Sequence, residues 1–192
     1  MAKPREIIRE EIPAGARRAV FAGGCFWCLE SGFEAIEGVL GAISGYAGGE
    51  EFDPTYEQVY TNATGHREAV LVYYDENKID YGRLLEVFWS NIDPTDGGGQ
   101  FFDRGSSYTT AIFYMNGEQQ AAAEASKRET QAHFKKPLAT AVLPYTTFYE
   151  AEEYHQSFYK KSPGRYQDYV NASGREDYKR RVWQAILRDR DR

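Results

Sequence analysis

Gly23-Gly24-Cys25-Phe26-Trp27-Cys28-Leu29-Glu30 is the stretch that decides how this chain of 192 residues is read. The run from Arg17 to Ala22 leads into it and reads as a strand, ended by the glycine pair. Beyond it Phe26, Leu29, Phe33 and Ile36 recur at steps of three and four, the spacing of one apolar helix face, and Gly38 closes that helix. Both cysteines of the chain therefore lie at a strand-to-helix turn, three positions apart. A thiol there meets free backbone N–H groups and the positive end of the helix dipole, which favour its thiolate. A fall in pKa from about 8.5 to about 7 raises the thiolate fraction at neutral pH roughly fifteenfold. Two readings stand side by side: a pair of cysteines packed as small hydrophobes, or a redox or nucleophilic site. The spacing favours the second.

Outward from this stretch the strand and helix signals alternate. Val39 to Tyr46 reads as a strand before the Gly48-Gly49 turn, and Glu68 to Tyr74 as another, rich in Val, Leu and Tyr. Tyr81 to Asn91 follows as a helix with Leu84, Leu85, Phe88 and Trp89 inward. Thr110 to Met115 is a strand, Gly117 to about His133 a long helix, and Ala139 to Leu143 a further strand. The expected fold is α+β: a two-layer sandwich of a mixed or antiparallel sheet with helices, a ferredoxin-like core with extensions. One domain over residues 1–192 is expected, with its core at about 17–160 and a charged helical C-terminal extension at about 162–192. The loops around Asp53-Pro54 and from Asp93 to Ser107 are long, and long loops in compact domains are often functional.

Composition narrows the function. With 23 Lys+Arg against 29 Asp+Glu, the chain does not suit a binder that works by neutralising nucleic-acid phosphates. No apolar run approaches the roughly 20 residues of a membrane span. Met1 to Ala14 is charged and lacks the apolar centre of a secretory signal. Two cysteines three apart form no secreted disulfide framework, so a reducing cytoplasm is the expected location. A zinc site would need two more ligands, yet there is no second cysteine pair and no closely spaced histidines, so no metal is expected. The glycines at 48–49 and 97–99 match neither a phosphate loop nor a dinucleotide fingerprint.

A nucleophilic thiol needs a group that handles protons. His66, His133 and His155 cannot be placed beside Cys25 by spacing. Glu68 is more suggestive, because a carboxylate enters the otherwise apolar stretch Ala69 to Val72. On an alternating strand Glu68, Val70 and Val72 share a face, so Glu68 is either that face's solvated end or a desolvated acid. In the second case its pKa rises and it stays protonated near neutrality.

The run GGCFWCLE resembles the nucleophile motif of the A-type peptide methionine sulfoxide reductases. SGYAGG (Ser44 to Gly49), PTYEQV (Pro54 to Val59), TGHREAVLVYYD (Thr64 to Asp75) and FWSNIDPT (Phe88 to Thr95) also fit that family's pattern. DRGSSYTTAIF (Asp103 to Phe113) and FYEAEEYHQ (Phe148 to Gln156) follow, so the likeness spans roughly Ala19 to Tyr166. It implies an oxidoreductase that returns methionine S-sulfoxide, free or in proteins, to methionine and uses a disulfide acceptor. In that reading the Cys25 thiolate attacks the sulfoxide sulfur and ends as a sulfenic acid. Glu68 corresponds to the buried proton donor, and Tyr56 and Tyr108 to tyrosines that hydrogen-bond the sulfoxide oxygen. Phe26 and Trp27 correspond to the wall around the substrate methyl, and Asp103 to a residue that holds the peptide backbone. The resemblance implies no bound cofactor and thioredoxin or another thiol as reductant. The expected partners are oxidised proteins and free methionine sulfoxide, with no nucleic acid or membrane, and the chain acting as a monomer.

The chain also departs from the pattern. Many members carry resolving cysteines in a glycine-rich tail, whereas the segment from Gly164 to Arg192 has none and Arg165-Tyr166-Gln167 stands where Tyr-Cys is expected. Cys28 is then the remaining internal thiol, in reach of Cys25 across the first helical turn. Either a Cys25–Cys28 disulfide forms and thioredoxin reduces it, or Cys28 is a buried helix residue and reductant attacks the Cys25 sulfenate directly. Thr109 replaces an arginine often found after the tyrosine, and His155 fits a motif without an assigned chemical step. Two other functions compete: a general dithiol oxidoreductase built on the CxxC pair, and an aromatic-rich binding module whose cysteines pack or sense redox state.

Overall fold

The run Arg17–Ala22, whose last four residues are apolar and buried on both faces, forms β1, an inner strand of a six-stranded sheet. The structure is a computed structural model that describes residues 15–190, so the charged stretch Met1 to Ala14 lies outside the described residues. After β1 come α1 (Phe26–Glu34), β2 (Val39–Ala47), α2 (Tyr56–Tyr60), β3 (Arg67–Tyr74) and α3 (Tyr81–Ser90). A two-residue ladder, β4 (Gly99–Gln100) and β5 (Asp103–Arg104), leads through a 3-10 turn at Ser106–Tyr108 to β6 (Ala111–Tyr114). Then follow α4 (Gly117–Gln131), β7 (Ala141–Pro144), β8 (Phe148–Glu150), α5 (Phe158–Lys161), α6 (Pro163–Ser173) and α7 (Arg175–Tyr178). From α7 the chain continues through a π-helical stretch, Lys179–Trp183, into α8 (Gln184–Arg190).

The strand order is β7-β6-β1-β3-β2-β8. Pairings are antiparallel except β6 with β7, so the sheet is mixed, and β6-β1-β3-β2 with α1 and α3 as connections is the ferredoxin-like core the sequence predicts. Period-two alternation sorts the strands into two cores. Ala19, Phe21, Val70, Val72 and Ile112 meet Leu29, Phe33, Leu84 and Phe88 on the helix side. Val20, Ala22, Ile43, Leu71 and Phe113 pack on the other side with Phe148.

Two elements differ from expectation. The loop around Asp53-Pro54 contains α2, whose five residues are too few to show a period but are started by a capping box between Thr55 and Gln58. The strand β8 is three residues long and pairs only with Gly45 to Ala47 at the sheet edge. The segment after Lys161 docks on the core through specific polar contacts. The Trp183 Nε1–H donates to the Ile92 carbonyl at 2.8 Å, and Arg175 donates to the carbonyls of Asn91 and Gly23. Among the described residues no helix is long and apolar enough to cross a membrane.

Candidate active site

The turn from β1 into α1 needs glycine at 24. Its φ is +79°, and a Cβ there would lie 2.5 Å from the Cβ of Gln100. This turn sets Cys25 at the N-cap of α1 with Cys28 one turn on, the Cys28 N–H donating to the Cys25 carbonyl at 3.2 Å. Both thiols are buried, 5% exposed each, and interact with one another.

Glu68 enters from β3, opposite Tyr46 of β2, on the same face as Val70 and Val72. It is 2% exposed, so it is the desolvated acid and not a solvated strand end. Its Oε2 accepts the Phe26 N–H at 3.0 Å, which ties it to the residue after Cys25. Burial pushes its pKa up to about 8, although the Phe26 N–H and the Tyr108 hydroxyl pull the other way. At neutral pH the carboxyl is mostly protonated.

At Cys25 the favourable helix start meets a stronger opposing effect. The Cys25 side chain makes no cap hydrogen bond, and the first free amide of α1 serves Glu68 instead. Burial, the hydrogen bond given to Cys28 and the nearby Glu68 and Asp103 push the Cys25 thiol well up. Cys28 moves down to about 7, because it accepts from Cys25 and from Tyr166 and feels the Arg175 guanidinium. The pair thus shares one negative charge, opposed by burial and favoured by the Arg175 guanidinium.

Tyr56 opens α2, and its N–H donates to Glu152 Oε1 at 2.8 Å. The other Glu152 oxygen accepts the Tyr46 hydroxyl at 2.6 Å, so one carboxylate fastens α2 to β2. Tyr108 ends the 3-10 turn, is 5% exposed, and its hydroxyl interacts with both Glu68 and Tyr56. Burial raises both phenols, which remain neutral donors beside the carboxyl. Phe26 lies 6.4 Å from the Tyr56 ring and 5.0 Å from His155, while Trp27 stacks on Phe158 at 3.9 Å. His155 is lowered to about 4 by burial and stands in this cluster as a neutral ring, 4.3 Å from Tyr56. In place of an arginine, Thr109 accepts the Arg67 Nε–H at 2.9 Å.

Asp103, half-buried on β5, accepts the hydroxyl of Tyr169. That contact belongs to α6, which covers the thiols: Val170 packs on Cys25 and Cys28, with Trp27, Tyr166 and Tyr169 around them. Sequence reasoning brought Cys25, Cys28, Phe26, Trp27, Tyr56, Glu68, Asp103 and Tyr108 forward, and the fold gathers all eight. It did not bring forward Tyr169, Val170 or Arg175. The spacing 166, 169, 170, 173 is a helical apolar edge, a signal hidden by the charges between. Among the described residues no three His, Cys, Asp or Glu side chains gather to hold a metal ion.

The family model for peptide methionine sulfoxide reductase matches residues 17–187. Peptide methionine sulfoxide reductase MsrA of Bacillus licheniformis is 52% identical over 167 residues, 86% of this chain and 92% of that protein. Its counterpart in Bacillus subtilis is 51% identical over 169 residues, covering 87% and 96%. Among solved structures, reduced Mxr1 of Saccharomyces cerevisiae aligns with a TM-score of 0.76 at 29% identity, over 81% of this chain and 90% of that one. Mxr1 in complex with Trx2 shares the fold with a TM-score of 0.56 at 22% identity, over 81% and 92%. Together with a buried acid against a thiol pair at a strand-to-helix turn, these likenesses settle the classification: the chain belongs to the peptide methionine sulfoxide reductase family.

Proposed function

We propose that this chain reduces methionine S-sulfoxide, free or in proteins, to methionine, with Cys25 as nucleophile and Glu68 as proton donor. The observation that carries the reading is a fully buried carboxyl whose Oε2 accepts the amide N–H of the residue after Cys25, beside a buried thiol pair. A sulfoxide oxygen leaves poorly, and a positioned general acid typically contributes about 10²- to 10⁴-fold. A protonated acid and a thiolate coexist near neutrality only when their environments push their pKa values toward each other, as burial does for Glu68 and as Arg175 does for the thiol pair that shares one charge.

The pair holds one proton between two sulfurs, and its transfer from Cys25 to Cys28 leaves the Cys25 thiolate. That thiolate attacks the sulfoxide sulfur while Glu68 delivers its proton to the oxygen, with Tyr56 and Tyr108 as hydrogen-bond donors to it. Phe26 and Trp27 wall the methyl group, which suits an uncharged substrate, and Asp103 holds the peptide backbone. Methionine leaves with two electrons gained, and Cys25 is oxidised to the sulfenic acid. The Cys28 thiol then attacks the Cys25 sulfur, water departs, and a Cys25–Cys28 disulfide forms. Thioredoxin supplies two thiols, is itself oxidised to a disulfide, and one of the protons delivered restores Glu68. That Mxr1 forms a complex with Trx2 accords with this choice of reductant.

The test is turnover of each methionine sulfoxide epimer with thioredoxin recycling, with mass spectrometry after one equivalent. Reduction of the S epimer, with loss of two hydrogens across Cys25 and Cys28, is expected. Reduction of insulin disulfides without any sulfoxide turnover would instead identify a general dithiol oxidoreductase.

A further inference from the structure

Arg175 is 1% exposed and heads the fully buried side chains by volume. Its Nη1 donates to the Asn91 carbonyl at 2.6 Å, and Nη1 and Nη2 donate to the Gly23 carbonyl at 3.2 and 3.3 Å. The Phe101 ring covers the guanidinium at 4.7 Å, a cation–π contact. The Nε–H, also buried, has no hydrogen-bond partner. None of the ion pairs among the described residues includes Arg175. Carbonyl dipoles and a ring face do not neutralise a buried cation, which needs a counter-charge nearby.

We propose that Arg175 is a positioning residue of the thiol site: it is the buried counter-charge that keeps one negative charge on the Cys25–Cys28 pair, and it pins the Gly23 carbonyl from which the nucleophile turn begins. The assignment rests on the reading of Cys25 and Cys28 as the reactive pair. The groups that face the pair are Glu68 from β3, Asp103 from β5, Tyr108 from the 3-10 turn, Tyr56 from α2, Tyr166 and Tyr169 from α6, and Arg175. Six of the seven are acids or phenols. Among the described residues Arg175 is the cation of this set: Tyr166 offers Cys28 a hydrogen bond, but Arg175 alone of the seven brings a positive charge.

Asp103 is a weaker counter-ion, because burial raises its own pKa and its oxygen is taken by Tyr169. Among the acidic groups near it, Cys28 stands first in stabilising the guanidinium. The attraction is reciprocal, since Arg175 in turn lowers Cys28. The turn geometry depends on the same side chain: a Cβ at Gly24 would come within 3.1 Å of Nη2, so the loop closes directly over it.

The test measures iodoacetamide alkylation of the pair against pH by mass spectrometry, in the full chain and in Arg175→Gln, Arg175→Lys and Trp183→Phe. The glutamine keeps a hydrogen-bond donor and removes the charge, and the lysine keeps the charge. The tryptophan change loosens the same helices without touching either. The wild type is expected to show an inflection near pH 7. Arg175→Gln should raise it by about one unit or more, with a roughly fivefold or greater slowing at pH 7. Arg175→Lys should return it close to the wild-type position. If Arg175→Gln does not fold, the lysine variant decides alone, because an inflection raised by a unit despite the retained charge overturns the proposal. It also falls if Trp183→Phe shifts the inflection as far as Arg175→Gln does, since Arg175 would then act only as an anchor. A wild type that alkylates normally but never turns over sulfoxide would sink the functional reading and leave the counter-charge result standing.

Discussion

The sheet core and the C-terminal helices divide the work of this site in different ways. From β1 to β8 the chain supplies the groups proposed to react, placed by strand alternation, by a helix start or by the 3-10 turn. From α5 to α8 it supplies what surrounds them: Phe158 behind Trp27, Tyr166 and Val170 on the thiols, and Arg175 beneath the turn. The first region is apolar and periodic, and its reactive residues stand out as exceptions. The second is charged throughout, and its buried residues are hidden among the solvated ones. The difference teaches that a polar terminal segment can set the electrostatics of a site whose chemistry lies elsewhere.

The sharpest way to break this division is to change the acid alone. Glu68→Gln should lower turnover by about 10²- to 10⁴-fold while leaving Cys25 alkylation at neutral pH nearly unchanged. Comparable turnover in that variant would take the acid role away from β3. The pH dependence follows from the same groups. The reaction needs the pair ionised and Glu68 protonated, so kcat/KM should rise through about 7 and fall through about 8, a narrow bell. Stability carries a separate sign: below about 8 the folded chain keeps on Glu68 a proton that the unfolded chain has already released. Folding stability therefore falls as pH rises from the ordinary carboxyl range to about 8, and Glu68→Gln should flatten that slope in denaturant titrations.

Within α1, Cys28→Ser separates reduction of substrate from recovery of the enzyme. One equivalent of sulfoxide should still be reduced, leaving a Cys25 sulfenate detectable by dimedone labelling, while turnover with thioredoxin stops after about one cycle. Continued recycling at the wild-type rate would make Cys28 a packing residue. In the second region Trp183→Ala should cost about 3–5 kcal/mol, because it empties a buried site and removes the donor to Ile92. Calorimetry on the full chain reads it as a melting point lower by roughly 10 °C. An unshifted melting point would mean that the C-terminal helices do not share the stability of the core. Thr55→Ala should have the smallest effect, about 1 kcal/mol, through loss of the α2 capping box. Its signature is a raised KM with little change in kcat, since Tyr56 is the first residue of that helix.

Much of the core was legible because its signals are local. Val70 and Val72 alternate, Phe26, Leu29 and Phe33 repeat at helical steps, and the observed elements begin and end within a residue or two of those patterns. The short elements were not legible: α2 holds one turn and β8 three residues, too few to show any period. For Glu68 the strand pattern named the face but not whether water reaches it. That required α1 to lie across β3 and hand its first amide to the carboxyl.

By itself, the sequence determined the order of the longer strands and helices, the turn that carries both cysteines, and the motifs that mark the family, because each depends on residues close in the chain. Only the tertiary structure decided that both sulfurs are buried, that the acid at 68 is dry, and that an arginine 150 positions from Cys25 lies beneath the turn. Ionisation depends on burial and on charges brought near by folding, and neither quantity is encoded in spacing along the chain.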